Sequence, residues 1–250
     1  MLSVIIPCFN QAKTLLRAVV SAEKVRGVGE IIIVDDCSDD GSAELIASIC
    51  AERENVRGLS NAVNSGPGVS RNHGVRNAHG EYVTFLDADD ELINVGLFEE
   101  SMDVIRQNPL IQAVKPMEEF FDSVKGYILP EYDPRYVSVV LSSVHGLVVK
   151  KKYFDVIGGF PEGDVFRGPL GGEDVAFMQA LVECGPLGKL DAVSYRMWSS
   201  QGGHTDQFLA ATRLMNSGFE FLVKGDAAVD ELGRAVSEFK SIVCQRMRDF

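Results

Sequence analysis

The sequence predicts a mixed α/β fold with a doubly wound, mostly parallel central sheet flanked by helices and with further helices at the C-terminus. Two observations predict this fold class. In the first 110 residues, four short apolar segments alternate with segments of helical periodicity, which is the pattern of a parallel sheet. Each apolar segment is followed by a polar loop, as expected where strands end at the ligand-binding edge of such a sheet.

The apolar segments of this half differ in their expected burial. Ile31–Val34 is a continuous apolar run, typical of a central strand covered on both faces. Pro7 ends the first strand because proline cannot donate to a strand ladder. The predicted strands are Ser3–Pro7, Ile31–Val34, Val56–Leu59 and Tyr82–Leu86. The predicted helices are Lys13–Val25, one that Ser42 caps, one that begins at Pro67 and one that includes Leu97–Ile105.

The second half is less regular, and its elements are predicted from shorter patterns. The expected strands are Ile111–Pro116, Tyr127–Leu129, Val144–Val149 and Val193–Trp198. The expected helices are Lys151–Ile157, Val175–Cys184, Thr205–Lys224 and Ala227–Arg248. We expect residues 1–205 to form one domain and residues 206–250 to form a helical extension packed on it.

Composition excludes several classes of protein. A net charge of −12 argues against nucleic-acid binding, which needs a basic face. The five cysteines form no close pairs and predict neither a zinc site nor a disulfide framework. We expect no signal peptide and no transmembrane segment. A cytoplasmic protein is therefore expected, with peripheral contact at the inner face of a membrane and a homodimer left open.

Acids and amides follow the predicted strands of the first half. Tyr82–Leu86 ends in Asp87-Ala88-Asp89-Asp90, Asp35 and Asp36 follow Ile31–Val34, and Asn10 follows the first strand. Because the carboxyl ends of parallel strands meet at one edge, these side chains should converge on a nucleotide or phosphate site that uses a divalent cation. The alternative for each cluster is a solvated turn that caps the next helix. The Rossmann glycine fingerprint and the P-loop are absent.

Five segments, taken in order, resemble family 2 glycosyltransferases. They are Ser3–Asn10, Glu30–Asp36, Asn64–Asn72, Asp87–Asp90 and Gly172–Asp174. The resemblance covers roughly residues 1–200 and implies a GT-A type fold, with residues 1–110 as the nucleotide-binding half and 111–205 as the acceptor side. It also implies transfer of a sugar from a nucleotide-diphosphate donor with inversion at the anomeric carbon.

The resemblance assigns nucleotide-binding roles to residues at the strand ends. The first loop would pack around the base and ribose through Pro7, Phe9 and Asn10. Asp36 would hydrogen-bond the base, commonly uracil, and Asp35 would support that loop. Arg71 lies in the segment that approaches the nucleotide, and its alternative is a surface ion pair.

The same resemblance implies a metal site. Asp87 and Asp89 match the Asp-x-Asp motif, with Asp89 as the direct ligand and Asp87 nearer the ribose or the metal's waters. His204 is a further candidate near the metal or diphosphate. Hard oxygen ligands favour Mn²⁺ or Mg²⁺. Asp90 is expected to be the structural member of this acidic trio.

The catalytic base is assigned by resemblance to Asp174, at the start of a predicted helix. It would take a proton from the acceptor hydroxyl. Its neighbour Glu173 is an alternative base, and both could instead be acids favoured by the helix N-terminus.

The resemblance therefore implies a metal-dependent inverting hexosyltransferase of polysaccharide biosynthesis. The expected donor is a UDP-hexose, and the expected acceptor is a hydroxyl of a glycan or a glycolipid, which includes lipid-linked saccharides. Single-sugar addition is favoured because the Gln-x-x-Arg-Trp motif of processive synthases is absent. The alternatives are a nucleotidyltransferase, which would need a basic glycine-rich loop after the first strand, and a catalytically silent nucleotide-sugar-binding or scaffold protein.

Overall fold

A computed structural model describes residues 1–122, 126–128, 142–167, 171–199, 212–215, 218–221 and 227–248. The strands are β1 Leu2–Cys8, β2 Val28–Asp35, β3 Val56–Ser60, β4 Tyr82–Phe85, β5 Glu91–Leu92, β6 Ala113–Asp122, β7 Gly126–Ile128, β8 Val148–Lys150, β9 Leu187–Ser199, β10 Thr212–Met215 and β11 Gly218–Phe221. The helices are α1 Leu15–Glu23, α2 Ser42–Glu52, α3 Pro67–Arg76, α4 Leu97–Gln107, α5 Lys151–Ile157, α6 Glu173–Cys184 and α7 Ala227–Arg248.

The central sheet has the order β3-β2-β1-β4-β8-β6-β9-β5, and β7 pairs with β6. The strands β3, β2, β1 and β4 are all parallel. Beyond β4 the sheet is mixed, because β8 is antiparallel to both β4 and β6, whereas β9 is parallel to β6. The predicted α/β class and the parallel first half are confirmed.

Helices cover both faces of the sheet, which is what a doubly wound fold requires. One apolar core lies between the sheet and α1, α2 and α4. The other lies between the sheet and α3, α5, α6 and α7. Alternate residues of β2 enter opposite cores, with Ile31 and Ile33 on one side and Ile32 and Val34 on the other. Because both faces of β2 are covered, its residues form a continuous apolar run in the sequence.

Two predictions for the second half are wrong. The strand expected over Val144–Val149 is confined to β8, because His145 makes an isolated bridge to Phe85 instead of continuing the strand. The helix expected over Thr205–Lys224 is an antiparallel hairpin of β10 and β11 in its described part. Gly218 disfavours a helix interior, and the aromatic residues that follow it favour a strand. The helix predicted over Ala227–Arg248 is confirmed.

Helix α3 lies unusually close to β1, and this closeness positions Arg71. A Cβ added at Gly74 would lie 2.5 Å from Cγ2 of Ile5, so a larger residue here would push the helix outward. Arg71, nearly one turn earlier on α3, is 2% exposed. Along the described ranges, no helix is long and apolar enough to cross a membrane.

The amino edge of the sheet holds a buried polar cluster around Glu30 that is separate from the predicted site. The Glu30 carboxylate accepts hydrogen bonds from Oγ of Ser3 (2.6 Å), the backbone N–H of His79 (2.6 Å) and Nη2 of Arg57 (2.7 Å). Burial alone would raise the pKa of Glu30, but these donors outweigh it and lower the pKa to about 2. The ionised form is therefore the one that the fold stabilises.

We expect Glu30→Gln to lower the free energy of unfolding by about 2–3 kcal/mol at neutral pH. A carboxyl with a depressed native pKa stabilises the fold above its unfolded pKa, and this contribution is lost as the pH falls from about 4.5 toward 2. Urea unfolding of both proteins at several pH values should show the difference between them narrowing over that window. A constant difference would mean that Glu30 acts by packing alone.

Candidate functional site

Arg71 links acids that are far apart in the sequence. Its Nη2 donates to Oδ1 of Asp87 (2.9 Å), just after β4. Its Nη1 donates to Oδ1 of Asp174 (2.7 Å) and to Oε1 of Glu173 (3.1 Å), both in the first turn of α6. The surface ion pair considered for Arg71 is therefore wrong, because the guanidinium is buried at the centre of the acidic cluster.

Local sequence explains how these acids reach Arg71. Gly171 and Gly172 have φ of +59° and +106°, a left-handed conformation that glycine adopts at little cost. Helix α6 begins directly after this turn, so Glu173 and Asp174 both lie in its first turn. Asn72 ties α3 to the segment before α6, since its Nδ2 donates to the carbonyl of Phe160 (2.9 Å) and its Oδ1 accepts from the Phe160 N–H (2.9 Å).

The surroundings shift the pKa values of the cluster residues in different directions. Burial would lower the pKa of Arg71, but the three carboxylates raise it well above its usual range. Burial would raise the pKa of Asp87, and Arg71 together with His145 brings it far below normal. Burial and the nearby charge of Asp174 raise the pKa of Glu173 to about 7, although Arg71 opposes this. Asp87 is thus ionised at neutral pH, whereas Glu173 is poised to hold a proton.

Asp89 and Asp90 have different environments. Asp89 is half-buried, and burial together with the charge of Asp87 raises its pKa. Asp90 is buried; its carboxylate accepts from the hydroxyl of Tyr195 (2.7 Å) and from the N–H of Trp198 (2.8 Å). Burial and the charge of Asp89 raise the pKa of Asp90 well above normal. The structural role predicted for Asp90 is confirmed, although its partners lie on β9 and not at a helix end.

Trp198 is engaged by other residues. The Arg17 guanidinium lies 4.5 Å from its ring centroid, and Phe121 packs against it at 4.6 Å. Arg17 also donates to the backbone carbonyl of Asp89. Trp198 therefore helps to hold the loop that carries Asp89.

The loops after β1 and β2 hold the other predicted residues. Asp36 is buried, and its carboxylate accepts from the N–H groups of Ser65 (2.9 Å) and Gly66 (2.7 Å) and from Nδ2 of Asn61 (2.7 Å). It therefore fixes the turn that enters α3. Asp35 is also buried, and its Oδ1 accepts from the N–H of Ser38 (3.3 Å).

The first loop is more open to solvent. Pro7 is buried in β1, and Phe9 is 44% exposed beside it. Asn10 has φ of +55°, and its Oδ1 accepts from the N–H of Asp39 (2.9 Å). This hydrogen bond joins the loops after β1 and β2. An exposed aromatic ring next to paired loops at this edge is a suitable surface for a planar base.

His145 also belongs to the cluster. Its Nε2 lies 3.2 Å from Oδ2 of Asp87. Its Nδ1 lies 3.5 Å from Oε2 of Glu118. Burial would lower its pKa, but both acids raise it well above normal. No motif or periodicity in the sequence marks His145 or Glu118, because their approach to Asp87 depends on the irregular second half.

The predicted metal ligands are only partly gathered. His204 lies outside the described residues. Within the described part of the chain, no group of three or more His, Cys, Asp or Glu side chains could hold an ion. Asp89 nevertheless fits a cation, because its carboxylate is half-buried, has a raised pKa and accepts no hydrogen bond from another described residue. A Mg²⁺-type site with one or two carboxylates takes its remaining ligands from phosphates and water.

The protein has an α/β fold, and it places acids and amides at the carboxyl ends of its parallel strands. Folds of this class bind their ligands at that edge of the sheet. Residues 3–143, more than half of the chain, match the family model described as Glycosyl transferase family 2. The chain belongs to that family, and the resemblance seen in the sequence is confirmed.

Two curated relatives illustrate the similarity. An uncharacterized glycosyltransferase of Haemophilus influenzae is 34% identical over 113 residues, which cover 44% of each protein. The GalNAc(5)-diNAcBac-PP-undecaprenol beta-1,3-glucosyltransferase of Campylobacter jejuni is 36% identical over 98 residues, which cover 38% of this chain and 32% of that protein. The matches thus span less than half the length of either relative.

Among solved structures, S. aureus TarS 1-349 in complex with UDP-GlcNAc has a TM-score of 0.69 and 19% identity to this chain. The match covers 100% of this chain and 71% of that one. At this identity the likeness shows a shared fold. The predicted GT-A type fold is therefore confirmed.

Proposed function

We propose that this chain is an inverting, metal-dependent glycosyltransferase that moves a single sugar from a UDP-hexose to a hydroxyl group of a glycan or a lipid-linked acceptor. The observation that carries the proposal is the Arg71 cluster. It holds Asp87 of the predicted donor side and Asp174 of the predicted acceptor side on one guanidinium, 2.9 and 2.7 Å away. The donor side and the acceptor side of the proposed site are thereby held close together.

The donor side of the proposal rests on the loops after β1, β2 and β4. Phe9 offers an exposed ring, and Asp36 fixes the turn at the start of α3. Asp35 and Asn10 support these loops, and Arg71 and Asp87 face the nucleotide. The family and the TarS structure with UDP-GlcNAc support a UDP-sugar as donor.

The metal in this proposal is Mn²⁺ or Mg²⁺. Asp89 would bind it directly, with Asp87 at its waters or at the ribose and His204 as a further candidate. When bound, the ion would neutralise charge on the departing diphosphate. The side chains of this chain would supply only part of the coordination, so binding of metal and nucleotide should depend on each other.

The acceptor side rests on the first turn of α6. Asp174 is the better base because its side chain is 19% exposed, against 10% for Glu173. Arg71 contacts Oδ1 of Asp174, and the described residues offer no partner for Oδ2. We propose that Oδ2 takes the proton of the acceptor hydroxyl as its oxygen attacks the anomeric carbon. Peripheral membrane contact and a homodimer stay predictions.

A thermal-shift screen of UDP and UDP-sugars with Mn²⁺ tests the donor and the metal together. We expect UDP to raise the melting temperature when Mn²⁺ is present and to do so much less with a chelator. A ligand at about 100 times its Kd stabilises by about 2.7 kcal/mol, which such a screen resolves.

Asp89→Asn should remove the Mn²⁺-dependent part of this shift, because the substitution removes the carboxylate that meets the ion. Asp103→Asn on α4 is the matched control, since Asp103 is 47% exposed and, among the described residues, forms an ion pair only with Arg106, three positions along the same helix. A shift that is equal with Mn²⁺ and with chelator would contradict the metal. Binding without transfer to any glycan or lipid-linked acceptor would favour a silent nucleotide-sugar binder.

A further inference from the structure

His145 contacts Asp87 but has no part in the chemistry proposed above. It precedes β8 and is 8% exposed. Its Nε2 lies 3.2 Å from Oδ2 of Asp87, while Arg71 holds Oδ1 of the same carboxylate at 2.9 Å. Both oxygens of Asp87 are therefore held, from two different elements, and the carboxylate cannot rotate freely.

The imidazole ring is itself fixed on its other sides. Its Nδ1 lies 3.5 Å from Oε2 of Glu118, which is fully buried on β6. Lys115 pairs with Glu118 and donates to the backbone carbonyl of His145. The ring also stacks on Tyr195, with centroids 4.8 Å apart and planes 12° from parallel.

Tyr195 connects this ring to the loop after β4 by a second route. Its hydroxyl accepts from the N–H of Asp87 (3.1 Å) and donates to Oδ2 of Asp90 (2.7 Å). The backbone of Asp87 is thus held by Tyr195, and its side chain is held by His145. The stacked pair therefore constrains both the backbone and the side chain of Asp87.

Stability alone does not explain this arrangement. Arg71 already supplies a cation to Asp87, and buried ion pairs are often no more stable than apolar groups of the same shape. An aromatic ring without nitrogen could stack on Tyr195 equally well. Holding the half-buried Asp87 carboxylate on both oxygens instead fixes its orientation, which is what a binding site for a metal-bound diphosphate needs.

We propose that His145 is a positioning residue of the nucleotide site, which orients the Asp87 carboxylate through its Nε2–H group. This inference rests on the proposed function. It assigns His145 no contact with the nucleotide and no proton transfer. Its effect reaches the ligand through Asp87.

Three substitutions separate the N–H group from the ring. In His145→Gln, the amide nitrogen reaches the position of Nε2 and keeps a donor to Asp87. In His145→Asn, the shorter amide ends near the position of Nδ1 and cannot reach Asp87. His145→Phe keeps the ring that stacks on Tyr195 and removes both nitrogens. His79→Gln is the control, because His79 pairs with Glu30 at the opposite edge of the sheet and is 72% exposed.

The readout is the Kd of UDP, measured by calorimetry with saturating Mn²⁺ on proteins whose melting temperatures are recorded in parallel. We expect His145→Asn and His145→Phe to bind UDP about 10- to 100-fold more weakly, as for loss of groups that orient a ligand. His145→Gln and the His79→Gln control should bind within about threefold of the unchanged protein. Should His145→Phe fail to fold, the Gln and Asn variants make the same comparison.

Two results would overturn the inference. Equal UDP affinity in the Asn and Gln variants would show that the reach to Asp87 is irrelevant, and tight binding by the Phe variant would show that only the ring matters. Absence of UDP binding in the unchanged protein is a different outcome, because it removes the proposed function together with the inference.

Discussion

Replacing Arg71 by alanine is expected to lower the free energy of unfolding by about 3–5 kcal/mol and to abolish UDP binding. The substitution would leave Asp87 and the acids of α6 in a buried cluster without the cation that now contacts all three at 2.7–3.1 Å. Uncompensated buried charges are far more costly than a lost surface pair. Urea unfolding and UDP calorimetry measure the two effects separately.

Two further variants make the Arg71 prediction specific. Arg71→Lys keeps the charge but lacks the planar fork that contacts acids on two sides, so it should recover part of the stability and little of the UDP affinity. Arg76→Ala, on the same helix, removes an ion pair with Glu162 in which Arg76 is 59% exposed, and it should cost less than about 1 kcal/mol. Equal losses of unfolding free energy for Arg71→Ala and Arg76→Ala would show that the cluster around Arg71 stabilises the fold no more than a surface ion pair does.

The sequence predicted the candidate site residues that lie at the ends of strands. Asp87 and Asp89 lie within four residues of the end of β4, and Asp35 and Asp36 lie at the end of β2. Parallel topology alone therefore brings them to one edge of the sheet. The period of the apolar residues also identified the buried strands of the first half. These inferences need only local patterns and one rule of sheet geometry.

Contacts between distant segments could not be predicted in this way. The partners of Arg71 depend on how the left-handed glycines before α6 direct its first turn. The position of His145 depends on an isolated bridge to Phe85 and on β6 and β9, which run parallel in a part of the sheet that is otherwise antiparallel. Single-residue bridges and strand order leave no periodic signal in a sequence. For this reason the contact between His145 and Asp87 could not be predicted.

Replacing Asp174 by asparagine should lower the rate of sugar transfer by about 10²- to 10⁴-fold while leaving UDP affinity within a few-fold, which is the effect of removing a general base. Asparagine keeps an oxygen that can accept from Nη1 of Arg71, so the contact seen at 2.7 Å and the fold should persist. Transfer from the identified UDP-sugar and calorimetry with UDP are the two measurements. Unchanged transfer would remove Asp174 as the base.

Glu173→Gln supplies the matched comparison, because Glu173 shares the first turn of α6 and the same nitrogen of Arg71. With its pKa raised to about 7, Glu173 is partly protonated near neutral pH, so only a fraction of the molecules carries the carboxylate that could accept a proton. If Asp174 is the base, Glu173→Gln should retain most of the activity and should lose any dependence of the rate on pH near 7 that arises from Glu173. If Glu173 is the base, Glu173→Gln should lose most of the transfer rate and Asp174→Asn should keep most of it. The rate of the Asp174→Asn protein should then rise as the pH increases through the pKa of Glu173.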